Sequence, residues 1–106
     1  MQTMNVTFHY DPGHGWLEVP LEKFLLAGAK ITEVSAYSYC APKGFDLYLY
    51  LEEDCDAAVF LEAAKARGIT VNVTERGHGD NCFIRQLTPV PVDLIKQRLE
   101  EAGIPA

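Results

Sequence analysis

Long hydrophobic runs are missing from this 106-residue chain, and so is any excess of positive charge. No apolar stretch approaches the roughly 20 residues of a membrane-spanning helix, so no span is expected. There are 9 Lys and Arg against 15 Asp and Glu, a net charge of −6. Direct binding of DNA, RNA or an anionic membrane needs a basic face, so none of these is an expected partner. The three cysteines, Cys40, Cys55 and Cys82, include no CxxC pair and are odd in number. A disulfide framework is therefore not expected, and a reducing cytoplasm fits best. Met1-Gln2-Thr3-Met4 has no basic segment leading into an apolar one, so no secretory leader is expected either. The G-x-S-x-G elbow, the P-loop, the dinucleotide fingerprint and the kinase motif set are all missing.

What is present is ordinary globular material. Apolar residues make up 48% and charged residues 23%, a composition that folds rather than one that stays disordered. A chain this long buries about two-thirds of its unfolded surface, enough for one domain over residues 1–106 without metal or disulfide support.

Periodicity predicts three successive units. Asn5–Tyr10 is rich in β-branched and aromatic residues and predicts a strand. Asp11-Pro-Gly-His-Gly15 is turn chemistry. Trp16–Val19 predicts the return strand, and Pro20 opens a short helix to about Ala27, stopped by Gly28. The second unit predicts a strand over Glu33–Tyr39, a turn over Ala41–Gly44 and a strand over Asp46–Leu51. There Leu47, Leu49 and Leu51 face one way and Tyr48 and Tyr50 the other. A helix follows from Asp54 or Asp56 to about Arg67, with Ala57, Phe60, Leu61 and Ala64 as its apolar stripe and Gly68 as its stop. The third unit predicts a strand over Ile69–Thr74, a turn over Arg76–Asn81, a strand over Cys82–Arg85 and a helix over Val92–Ala102. The expected fold is α+β, in the order ββα-ββα-ββα. It has a mostly antiparallel sheet with helices on one face.

Two features invite a functional reading. The first is charge. Gly44 to Glu62 holds six acids (Asp46, Glu52, Glu53, Asp54, Asp56 and Glu62) and no Lys or Arg over 19 residues. One or two of them suffice to cap the following helix; the surplus predicts a negative patch suited to an Arg- and Lys-rich surface. Tyr37, Tyr39, Tyr48 and Tyr50 fall on the sheet face opposite the leucines. Uncovered, they would form an amphipathic contact surface. Asp46, Glu52, Glu53, Asp54, Asp56 and these four tyrosines are thus the candidate partner-binding residues.

The second feature is the pair of Gly-His-Gly turns at His14 and His78. If the two tips meet, His9, Asp11, His14, His78 and Asp80 offer a mixed nitrogen and oxygen ligand set for zinc or another divalent ion. The spacing is loose and glycine-flanked, and exposed turn histidines are the simpler reading. No cofactor is therefore expected. A cysteine nucleophile is disfavoured, because Glu53, Asp54 and Asp56 surround Cys55 and raise its pKa.

Asp11-Pro-Gly-His-Gly-Trp-Leu-Glu-Val-Pro20, Tyr37-Ser-Tyr39, Tyr50-Leu-Glu-Glu-Asp-Cys-Asp-Ala57 with Phe60-Leu61, and Phe83-Ile-Arg85 together resemble a family of short uncharacterised proteins from bacteriophages and mobile elements of proteobacteria. The resemblance spans most of the chain except the last helix. It implies a setting rather than an activity: a small acidic accessory protein, of the kind that often inhibits host systems, anti-CRISPR proteins among them. The expected function is non-enzymatic binding of a host protein in the bacterial cytoplasm, for instance a nucleic-acid-handling defence complex. A small histidine-using or metal-dependent enzyme and a dimerising structural protein stand as alternatives.

Overall fold

A computed structural model of the chain describes residues 2–106, so Met1 lies outside the described residues. It is an α+β fold with one six-stranded sheet and three α-helices. The strands are β1 (Thr3–Tyr10), β2 (Gly15–Pro20), β3 (Tyr39–Lys43), β4 (Asp46–Glu52), β5 (Thr70–Gly77) and β6 (Thr88–Pro89). The helices are α1 (Leu21–Leu26), α2 (Asp56–Ala66) and α3 (Val92–Glu101). Among the described residues no helix is long and apolar enough to cross a membrane.

The sheet runs in the order β5-β1-β2-β4-β3-β6. β1 and β5 are parallel along their whole length, from Thr3 opposite Thr70 to Tyr10 opposite Gly77, and the other pairs are antiparallel. The expected mostly antiparallel sheet is thus corrected to a mixed one. β5 does not turn back on a hairpin partner of its own. It joins β1 at one edge, and the chain returns only at the far edge.

The repeated ββα order fails for the same local reason in two places. Cys82–Arg85 was expected as a strand, but Phe83–Gln86 is a 3₁₀ turn. The Cys82 N–H goes to Asp11 Oδ2, and the Leu87 N–H goes to the Ile84 carbonyl. Glu33–Tyr39 was also expected as a strand. Instead Ile31–Glu33 is a 3₁₀ turn, and the Ser35 N–H is held by Asp56 Oδ2 at 3.0 Å. The strand begins only at Tyr39 and runs through Pro42, with the real turn at Gly44-Phe45. Pro42 lies beyond the reach of β6, on a stretch of β3 that needs no second ladder.

Local chemistry accounts for the rest. In the β1–β2 turn the Asp11 carboxylate accepts the N–H groups of Gly13 and His14, both at 3.0 Å. Gly15 lets the Phe8 ring lie against the turn: a Cβ there would come within 2.2 Å of Phe8 Cζ, so the ring would have to shift. α2 ends at Gly68, whose φ of +71° lets the Ile69 N–H reach back to the Ala64 carbonyl at 2.9 Å.

Strand alternation sends Met4, Val6, Leu17, Val19, Leu49 and Leu51 to one face. There they pack with Phe24 of α1, Phe60 and Ala64 of α2, and Ile95 and Leu99 of α3. The Phe24 and Phe60 rings stack at 6.4 Å and are fully buried, each worth about 1.5–3 kcal/mol of apolar burial. Leu61, expected in that stripe, is 37% exposed. The opposite face carries Trp16 and Tyr50, which form a second, smaller core with Cys82 and Ile84. The cover on the tyrosine face is therefore a strap, residues 82–87, and not a helix.

Candidate functional site

Two constellations form on the strapped face. The first is at the junction of β4 and α2. Glu52 ends β4, and its Oε2 accepts the N–H groups of Asp54 (3.0 Å) and Cys55 (3.1 Å). Asp56 opens α2 and is 1% exposed. Its Oδ2 accepts the Ser35 N–H, the Ser35 hydroxyl at 2.7 Å and the Ser38 hydroxyl. The Ser38 Oγ in turn accepts the Glu52 N–H at 2.9 Å. This network clamps the 35–38 loop to the helix start and leaves Tyr37 70% exposed.

The acidic run therefore divides. Asp46, Glu53, Asp54 and Glu62 are exposed, whereas Glu52 and Asp56 are buried, with backbone and hydroxyl partners. Asp56 is corrected from surface ligand to internal clamp, because the serines of the 35–38 loop supply its hydrogen bonds. The tyrosines divide too. Tyr50 is 4% exposed, since the strap packs on it, while Tyr39 and Tyr48 are half-buried. The Lys43 ammonium lies 4.8 Å from the Tyr48 ring centroid.

Beside Tyr37 the surface opens into a cleft of about 280 Å³, lined by His14, Trp16, Tyr37, Tyr39, Glu52, Asp54, Cys55 and Arg85. Tyr39 meets Trp16 edge-on at 6.2 Å, and His14 lies 5.8 Å from Trp16. The Arg85 guanidinium sits over the Trp16 ring at 5.4 Å. It is fixed there by two bonds to Asp11, Nε to Oδ2 at 2.7 Å and Nη2 to Oδ1 at 2.8 Å. The Arg85 guanidinium, then the Cys82 N–H, holds the Asp11 carboxyl well below the usual carboxylate range. Arg85 and Asp11 thus neutralise each other. Among the described residues Glu52 and Asp54 make no ion pair. The Cys55 thiol is pushed up by desolvation first and then by Glu52, Asp56 and Asp54, so it stays protonated.

The second constellation is a chain of proton-bearing groups. His9 is 5% exposed. Its Nδ1 lies 2.7 Å from His78 Nε2, and its Nε2 lies 3.1 Å from Glu18 Oε1. Lys43 Nζ is 3.6 Å from the other Glu18 oxygen. The Phe83 ring stands edge-on to both imidazoles at 5.4 Å. Burial pushes the His9 pKa down, against the opposing pull of Glu18. With neutral His9 donating Nε2–H to Glu18, its Nδ1 accepts the Nε2–H of His78. Glu18, His9 and His78 thus form a continuous hydrogen-bonded chain.

Of the five residues that a metal site would have needed, the fold brings together only His9 and His78. Asp11 is occupied by Arg85 and three backbone N–H groups. His14 turns to Trp16 in the cleft, and Asp80 is exposed in the turn after β5. Among the described residues no group of three or more His, Cys, Asp and Glu is placed to hold a metal ion.

Sequence reasoning missed Trp16, Glu18 and Arg85. The signal for the first two lay in the hairpin register. Pairing His9 with Trp16 puts His9, Trp16 and Glu18 on one face. Arg85 had no local signal, since its partner Asp11 is 74 residues away. Comparison with family models, curated proteins and solved structures finds no match to this chain.

Proposed function

We propose that this chain is a small non-enzymatic binding protein, carried by a phage or mobile element. In this reading it acts in the bacterial cytoplasm by occupying a basic surface of a host protein, in the manner of an anti-CRISPR inhibitor. The observation that carries the reading is the surface around Tyr37. An exposed aromatic ring and the exposed Asp54 border an aromatic-walled cleft whose carboxylates, Glu52 and Asp54, have no cation among the described residues. Such a surface steers toward Arg- and Lys-rich partners and away from nucleic acid and anionic lipid. The setting comes from the family resemblance; the partner class comes from the charge. A nucleic-acid-handling complex has the required basic groove.

The test is affinity capture from host lysate with wild type and with Tyr37→Ala/Asp54→Lys, both checked for native circular dichroism. A partner retained by wild type and lost by the variant supports the reading; an identical captured set from both overturns it.

The Glu18–His9–His78 chain favours a second reading, a small histidine-using enzyme with the outer nitrogen of His78 as its base. An infection assay separates the two. A binder loses its phenotype with Asp54→Lys and keeps it with His78→Ala, and an enzyme does the reverse. The long edge strand β5, with Val73 46% exposed, favours self-association, which light scattering measures directly.

A further inference from the structure

Two groups in the cleft wall are more than nine-tenths buried and lack a partner of the kind their chemistry calls for. Trp16 is 3% exposed, and among the described residues its indole N–H has no hydrogen-bond acceptor. A buried donor left in this way is costly. Glu52 is 7% exposed, and its carboxylate is bonded to backbone N–H groups but has no cation. Asp54 stands at the rim with no cation either. The aromatic wall already seats one guanidinium, that of Arg85 over Trp16 at 5.4 Å. Asp11 cancels the charge of that group through two bonds, so the field in the cleft is set by Glu52 and Asp54.

We propose that the cleft receives one arginine side chain of a partner polypeptide, its guanidinium between the Tyr37 and Tyr39 rings and its N–H groups on Glu52 and Asp54. Arginine is preferred over lysine for physical reasons. A planar guanidinium is weakly hydrated, stacks on aromatic faces and bonds carboxylates with several N–H groups at once. A volume of about 280 Å³ accommodates a single side chain rather than a folded ligand. The inference rests on the protein-binding reading above and names the chemistry of its central contact.

The probe is a blocked tripeptide, acetyl-Gly-Arg-Gly-amide, titrated into the full chain. Its lysine, glutamate and glycine counterparts serve as comparisons. Trp16 is the only tryptophan, so its fluorescence and the NMR signal of its indole N–H report the cleft directly. The arginine peptide should shift both saturably and bind at least about fivefold tighter than the lysine peptide, and the glutamate and glycine peptides should leave both signals unmoved. Asp54→Asn and Glu52→Gln should each weaken arginine binding about tenfold, the scale of one charged hydrogen bond. Asp54 is exposed, so its variant keeps the test valid if Glu52→Gln unfolds. No shift of the indole signal, equal binding of the lysine peptide, or unchanged binding by Asp54→Asn would each overturn the inference. Should the peptide fail while host capture still depends on Tyr37 and Asp54, the arginine seat falls and the protein-binding reading stands. Should the peptide bind while capture is identical for wild type and variant, the protein-binding reading falls instead.

Discussion

Replacing Asp56 by alanine removes the acceptor for three hydrogen bonds, from the Ser35 N–H, the Ser35 hydroxyl and the Ser38 hydroxyl. Ser35 is half-buried, so water replaces part of what it loses. Ser38 is fully buried, and its hydroxyl donates to Asp56, so water cannot replace that acceptor. One buried unsatisfied donor costs about 1–3 kcal/mol, and the net loss of two partly wet hydrogen bonds adds roughly 1–2 kcal/mol. Releasing a buried carboxylate with no cationic partner returns some of this. The expected destabilisation is about 2–4 kcal/mol, or a fall in Tm of roughly 10–25 °C for a domain of this size. Urea unfolding followed by Trp16 fluorescence measures it. Asp56→Asn keeps one acceptor oxygen and should fall between wild type and Asp56→Ala. A double-mutant cycle with Ser38→Ala should return a coupling of at least about 1 kcal/mol, since the orphaned hydroxyl is then gone. An Asp56→Ala variant within about 0.5 kcal/mol of wild type, or strict additivity with Ser38→Ala, would refute the clamp.

Three further outcomes follow from the same geometry. The folded-state pKa of Asp11 lies well below its unfolded value of about 4, so its stabilisation is complete above that pH and drains away below it. Thermal melts from pH 7 to pH 2 should show the gap between wild type and Asp11→Asn narrowing below about pH 4, and a constant gap counts against the Arg85 anchor. Burial lowers the His9 pKa, so the unfolded chain takes up that proton first; stability is intact above about pH 6.5 and declines as pH falls through the folded value. His9→Gln should remove that step from urea midpoints measured between pH 8 and pH 5. Phe60→Ala empties a fully buried ring site against Phe24 and should cost about 3–5 kcal/mol by chemical denaturation; a cost under 1 kcal/mol would mean that the helices do not pack as described.

Local rules made the elements visible in the sequence. Leu47, Leu49 and Leu51 alternate with Tyr48 and Tyr50, and a period of two has only one reading. The spacing of Ala57, Phe60 and Ala64 and the glycine at 68 are equally local, and β4 and α2 lie where that chemistry puts them. The acidic junction and the tyrosines were legible as types of residue, but their exposure was not. Exposure depends on what packs above a strand, and the strap over Tyr50 comes from residues 82–87. The parallel pairing of β5 with β1, the bond from Arg85 to Asp11 and the contact of His9 with His78 all join residues about 70 apart. No turn signal or period encodes such a pairing, because it is chosen by the shape of the whole core. Cys82–Arg85 has the composition of a strand, yet it becomes a 3₁₀ turn once Asp11 takes its first N–H. The sequence by itself determined the class of fold, the helices, the surplus of negative charge and where along the chain it gathers. Only the tertiary structure decided which acids face outward and which tyrosines are free. It also made two of the alternative metal-ligand candidates, Asp11 and His14, into parts of a turn and a cleft, because burial and hydrogen-bond partners are properties of neighbours that the chain brings from far away.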